Sequence, residues 1–108
     1  MCRFEVDARG VFYNVEQQIY GIYVVNNMDI HDLIAYIHQE DWNNVSEQWD
    51  NLLEYHKDLF VKFQYIIDTM EMYLFMEATC VYDKNNSFSH ITCVILNVSK
   101  QDYMTITI

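Results

Sequence analysis

At 108 residues the chain has the length of one domain, and a domain of this size buries roughly two-thirds of its unfolded surface without staples. Hydrophobic residues at 52% and aromatics at 16% exclude a disordered chain. The formal charge of -10, with six scattered basic residues, excludes nucleic acid and an anionic membrane surface as partners, because phosphate recognition needs clustered Lys and Arg.

Phe4-Glu5-Val6 and Val11-Phe12-Tyr13 are short β-type runs around Asp7-Ala8-Arg9-Gly10, a turn in which Gly supplies a positive φ. They read as a hairpin. From Gln17 to Val25 the apolar positions satisfy both helical and strand periods, and the reading is a short helix ending near Gly21, then an irregular connection through Asn26-Asn27. Asp29 is an N-cap for a short helix carrying Leu33, Ile34 and Ile37 on one side. Trp42, Val45, Trp49, Leu52 and Leu53 recur at steps of three and four, which predicts an amphipathic helix ending near Tyr55. His38 is placed at its N-cap, so Gln39, Glu40 and Asp41 fall in the first turn, where acids meet the positive end of the helix dipole.

From Leu59 the period changes to two. Leu59, Val61, Phe63, Tyr65 and Ile67 alternate with Lys62 and Gln64, as in a strand with one buried face. Asp68 to Glu71 is read as a turn, Met72 to Tyr82 as a second strand, Asp83 to Ser87 as a turn and Phe88 to Val98 as a third strand. Both alternating sets of the last two strands are largely apolar, so the sheet needs cover on both faces. The helices read here cover one face only. The other is an expected contact for a partner or a flanking helix.

Cys2, Cys80 and Cys93 are odd in number and lack paired spacing, which points to reduced, buried thiols rather than to a disulfide framework or zinc. No run approaches the roughly 20 apolar residues of a membrane span, and no signal-peptide pattern is present. Nine Tyr and six Phe are open to two readings, as lining for a pocket or association surface, or as ordinary strand formers. The acidity is equally two-sided: it keeps an aromatic-rich domain soluble, and it would also attract a basic partner.

Taken in order, these residues resemble a PAS domain over roughly 4 to 101. Asp7-Ala8-Arg9-Gly10 with Val11 and Asn14 resembles the opening D-x-x-G-x-(I/V)-x-x-x-N hairpin, and Tyr20-Gly21 the glycine after the first helix. Ile37-His38-Gln39-Glu40-Asp41 is similar to the I-H-P-E-D helix start, with Gln39 in place of Pro. Phe60 to Tyr65 resembles the F-x-x-E-(Y/F)-R strand, Tyr73 falls where a Trp often stands, and Asp83 begins the next turn. Asn97-Val98-Ser99-Lys100 sits where D-I-T-(E/x)-(R/K) closes the domain. The turn Thr69-Met70-Glu71 lacks the customary Asp-Gly, and Asn97 removes the acid whose salt bridge often ties the sheet to a signalling helix.

The resemblance implies an α+β fold, a five-stranded antiparallel sheet with short helices packed on one face, across the single domain 1–108. It also implies a pocket between the long helix and the last three strands, for which the candidate lining is Ile34, Ile37, Trp42, Val45, Trp49, Phe63, Tyr65 and Met76. Filling of the core by these side chains with no ligand is the alternative.

No cofactor is identified. Met1-Cys2-Arg3-Phe4 echoes the flavin-binding Asn-Cys-Arg-Phe but lies outside its helical context, and Trp42 to Tyr55 holds no histidine of the kind haem-binding relatives use. His31, His38 and His56 read as surface and capping groups, and His90 as a strand histidine, so no metal is assigned. Catalytic residues are none: two glycines make no phosphate loop, and Ser46, Ser87, Ser89 and Ser99 lack a nucleophile context. The expected function is a cytoplasmic sensory module of a bacterial signalling protein, one that binds a small ligand or forms a homodimer through the outer sheet face and regulates a linked effector such as a histidine kinase or cyclase. The competing expectation is a stand-alone acidic interaction or inhibitor protein that binds a basic partner.

Overall fold

A computed structural model describes residues Met1–Ile108. Five strands, β1 (Cys2–Val6), β2 (Phe12–Gln17), β3 (Leu59–Ile67), β4 (Met70–Tyr82) and β5 (Phe88–Val98), form one antiparallel sheet in the order β2-β1-β5-β4-β3. Helices α1 (Ile30–Ile34) and α2 (Trp42–Tyr55) lie between β2 and β3, with a 3-10 turn at Gln39–Asp41 leading into α2, and α3 (Lys100–Thr105) follows β5. The α+β, five-stranded architecture is the one expected.

Side-chain alternation fixes the sheet's two faces. Leu59, Val61, Phe63 and Tyr65 are buried on β3, Leu74, Met76 and Ala78 on β4, and Ile91, Cys93 and Ile95 on β5. They join Cys2, Phe4 and Val6 of β1 and Val45, Trp49 and Leu52 of α2 in one core cluster. No polar or charged residue is buried. The β3–β4 register runs unbroken from Leu59↔Ala78 to Ile67↔Met70, closed by Asp68-Thr69 with Asp68 at φ +54. The turn is therefore shorter than Asp68 to Glu71, because Asp68 takes up the left-handed conformation and lets Met70 and Glu71 pair. At the other end, Asp83 accepts from the amides of Asn85 and Ser87 at 2.8 and 3.0 Å, which closes β4 onto β5.

The first hairpin also forms as read. Asp7 accepts from the amides of Arg9 and Val11 at 2.9 and 3.0 Å, and Gly10 takes φ +88. Those amides, Val11 foremost, hold the Asp7 carboxyl below the usual carboxylate range. Asn14 sits at φ +51 where the β1–β2 register shifts between Arg3 and Glu5, so it marks a bulge.

The expected helix ending near Gly21 does not form. The Gln17 side chain donates to the carbonyls of Ile19 and Ile22 and accepts from the Ile19 amide, so it occupies backbone groups that a helix would need. Asn26 accepts from the Val15 amide at 3.0 Å and lashes the returning chain to β2. Ile22 and Val24 turn inward while Tyr23 and Val25 stay exposed, which is extended-chain alternation.

Asp29 caps α1 as expected, within a reciprocal box that includes Asp32. α1 ends at Ala35, however, and Ile37 lies beyond it in an isolated bridge to Tyr65. His38 caps the 3-10 turn through Nδ1, which accepts from the Glu40 amide at 3.2 Å, and does not cap α2 itself. Asp41 stands at the helix start as expected and makes a further contact there. Its carboxylate accepts from the Gln64 amide of β3 at 2.9 Å. On the same strand edge His38 donates to Gln64 O at 2.9 Å, and Ile66 donates to Tyr36 O at 2.6 Å. Residues 36–41 thus seal half of an edge strand that would otherwise be open.

α3 was outside the sequence reading. It is a second cover on the reverse face of the sheet, entered through Ser99, whose Oγ accepts from the Asp102 amide at 3.1 Å. Asp41→Ala removes a charge-assisted bond to a β3 amide and is expected to cost about 2 kcal/mol, read as a lowered midpoint in urea with an unchanged slope.

Candidate functional site

α2 is tied at its start to the β3 edge and stops at His56, which adopts φ +52. Between those points its buried stripe of Val45, Trp49 and Leu52 faces the inner side of the sheet. Six of the eight candidate lining residues, Ile37, Val45, Trp49, Phe63, Tyr65 and Met76, come together in that core. Ile34 flanks it, half-buried. Trp42 stands at the margin, 40% exposed, with its indole N–H donating to Ile37 O at 2.6 Å. None of the eight lines any of the five main surface clefts.

Two polar groups sit within this apolar interior. The Tyr65 hydroxyl accepts from the Tyr23 amide at 2.9 Å, so it anchors the irregular segment after β2 to the middle of β3. Burial raises its pKa, an effect the Tyr23 amide partly opposes. Trp49 is 1% exposed, and its Nε1–H has no hydrogen-bond partner. It packs edge-on against Phe12, with ring centroids 5.9 Å apart, and Phe12 in turn lies 4.4 Å from Phe4. A Cβ on Gly10 would stand 3.2 Å from Leu53 Cδ1 and 4.0 Å from this nitrogen, so the β1–β2 turn packs closely on this end of α2. An unpaired buried donor is rare because leaving it unmade costs about 1–3 kcal/mol. Sequence pattern marked Trp49 as apolar and carried no sign of this.

The histidines stand apart. His56 stacks on Phe88 at 4.1 Å and His90 Nδ1 meets Ser89 Oγ at 2.9 Å. No three His, Cys, Asp or Glu side chains converge to hold a metal ion. The thiols are buried, and burial raises Cys2 to about 11 and pushes Cys93 well above the ordinary thiol range, so neither is a ready nucleophile.

On the reverse face, Lys62 Nζ donates to the carbonyls of Tyr103 and Ile106, both at 2.8 Å, and lies 4.7 Å from the centre of the Tyr103 ring. A single β3 lysine therefore caps the end of α3 and holds its one buried side chain, which also packs 5.1 Å from Tyr73. This contact ties α3 to the sheet. Beyond α3 the face keeps exposed apolar groups, Phe60, Ile66 and Leu96.

No protein-family model matches the sequence, and no curated protein does. Solved structures do. The N-terminal domain of a diguanylate cyclase with PAS/PAC sensor from Marinobacter aquaeolei superposes with a TM-score of 0.76 at 13% identity, over 94% of this chain and 97% of that one. Drosophila melanogaster Cycle PAS-B with bound ethylene glycol gives 0.65 at 12% identity, over 91% and 100%. A sensory box sensor histidine kinase from Vibrio cholerae gives 0.60 at 13% identity, over 91% and 81%. The chain has the PAS fold. No helix is long and apolar enough to cross a membrane.

Lys62→Met is expected to loosen α3 by about 1.4 kcal/mol and so to speed tryptic cleavage at Lys100 roughly tenfold, with cleavage at Lys57 unchanged. Burial raises the Tyr103 hydroxyl from 10.0 to about 12, with Asp41 and Tyr73 adding to it. The docked form therefore holds its proton where free tyrosine loses it, and docking weakens as pH rises from about 10 through about 12. The thermal midpoint should fall across that window and not below it, and Tyr103→Phe should flatten the fall.

Proposed function

We propose that this chain is a PAS-type sensory module in the cytoplasm. The core between α2 and the inner sheet face takes a small ligand with a hydrogen-bond acceptor. The reverse face passes its state to a linked effector of the histidine kinase or cyclase kind, or to a second copy of the chain. The observation that carries the reading is the buried Trp49 N–H, a donor without a partner in an apolar interior. A hydroxyl or ether oxygen would complete it.

The eight candidate residues divide by role in this proposal. Ile37, Val45, Phe63, Tyr65 and Met76 form the wall, Trp49 supplies the polar contact, and Ile34 and Trp42 stand at the margin. The interior is well filled, so a small guest fits the reading and a flavin or haem does not. Support comes also from the fold, which recurs in a cyclase with a PAS/PAC sensor and in a sensor histidine kinase, and from Cycle PAS-B, which holds ethylene glycol. Occupancy would act by favouring one arrangement of the sheet face over another.

The competing reading, an acidic protein that binds a basic partner, is favoured by one feature: from Trp42 to Tyr55, α2 carries Glu47, Asp50 and Glu54 and no basic residue.

The two indole N–H signals give an internal control. Titration with ethylene glycol should move the Trp49 indole resonance saturably and leave that of Trp42, already bonded to Ile37 O, in place. Equal small drifts of both, or no movement of Trp49, would remove the ligand from the account.

A further inference from the structure

The segment that leaves β2 and the helix that follows it frame a second cleft, open to solvent, of about 380 Å³. Tyr23 and Met28 line it from the segment after β2, and His31, Asp32, Ala35 and Tyr36 line it from α1 and its exit. Met28 is buried and Tyr23 is exposed, so a thioether lies deep in the cleft and a phenol ring stands at its lip.

Its recognition groups are held by bonds of their own. The Tyr23 amide donates to the Tyr65 hydroxyl at 2.9 Å. Tyr36 O accepts from the Ile66 amide, and the Tyr36 ring lies 5.6 Å from that of Tyr65. Asp32 Oδ2 accepts from the Asp29 amide at 3.0 Å within the capping box of α1. The backbone of both tyrosines and the Asp32 carboxylate are thus fixed before a guest arrives, which lowers the cost of binding.

Charge narrows the guest. From Gly10 to His56 the chain has no Lys or Arg, while Asp29, Asp32, Glu40 and Asp41 all fall within or beside α1 and the turn after it. The field over the cleft therefore disfavours anions. A metal ion finds too few ligands, because no three His, Cys, Asp or Glu side chains converge. A primary ammonium is strongly hydrated and needs several acceptors in exchange for its water, whereas Asp32 already engages one oxygen with Asp29. A quaternary ammonium makes no hydrogen bonds and is recognised by ring faces and a nearby negative charge. Two phenol rings, a thioether and one acid make up that set.

We propose that this cleft binds a small, free quaternary ammonium compound of the choline kind, its cationic head between Tyr23 and Tyr36 and its counter-charge supplied by Asp32. The site is separate from the interior around Trp49 and does not depend on a ligand there. Because Tyr23 and Tyr36 both contact Tyr65, occupancy is felt at β3.

The probe is choline chloride, titrated at constant ionic strength into isotopically labelled full chain. Saturable shifts are expected at the amides of Tyr23, Met28, Asp32 and Tyr36, with the Trp49 indole resonance unmoved. The neutral alcohol with a tert-butyl group in place of trimethylammonium has the same shape, and it should bind about tenfold more weakly. Tyr23 is exposed, so its replacement keeps the fold. Tyr23→Leu should weaken choline binding about fivefold, while Tyr23→Phe, which retains a ring face, should restore it. Asp32→Asn keeps an acceptor for the Asp29 amide and should weaken binding about threefold. Equal binding of choline and its neutral analogue, no saturation, or a loss in Tyr23→Phe as large as in Tyr23→Leu would overturn the proposal. Choline-competed sedimentation with phosphatidylcholine vesicles would assign the head group to a lipid and overturn the free solute.

Discussion

The structure depends on how residues 36–41 grip the outer edge of β3. Two backbone groups and one carboxylate do this work: the carbonyl of Tyr36 takes the Ile66 amide, the His38 amide donates to Gln64 O, and Asp41 takes the Gln64 amide. An edge strand offers a row of unpaired donors and acceptors, and here half of that row is spent within the chain. The same contacts fix where α2 begins and how it lies over the sheet. Val45, Trp49 and Leu52 are then presented to the inner face at a set height. Without the grip, α2 would be an amphipathic helix with no fixed seat.

From that seat the two faces of the sheet take different characters. The inner face is sealed, apolar and free of buried charge, with a single unanswered donor at Trp49. The reverse face is only partly covered by a helix of six residues, held by one lysine and one tyrosine. A short helix of this kind has little stability of its own and persists only while docked. β3 belongs to both faces, with Phe63 and Tyr65 inward and Lys62 outward, so a shift of that strand is felt on both sides. One exposed ion pair, Arg9 with Asp7 at 4.0 Å, does little to neutralise the acidic surface, which leaves the chain's charge available for steering.

Much of this was legible from residue order. The strict alternation from Leu59, the turn at Asp83 to Ser87 and the three-and-four spacing from Trp42 each specify one element, because one face of each must be buried. The segment from Gln17 to Val25 was misread because its apolar residues fit either period, and the deciding bonds come from the side chains of Gln17 and Asn26 rather than from any pattern. α3 escaped because six residues are too few for periodicity, although Ser99 three places before Asp102 is a capping signal that could have revealed it. Asp41 was assigned to the helix dipole on local grounds, whereas its partner lies 23 residues away on β3. Of the candidate site, the burial of six residues was readable and the orphaned indole N–H was not, since an unmet bond depends on what packs nearby.

The grip on β3 can be examined residue by residue through native-state amide exchange. Gln64 and Ile66 point their amides to the outside of the sheet, as do Phe60 and Lys62 by the parity of an antiparallel strand. The account predicts that Gln64 and Ile66 exchange only with global unfolding, as slowly as the core of β4, while Phe60 exchanges freely. Fast exchange at Gln64 and Ile66, matching Phe60, would contradict it.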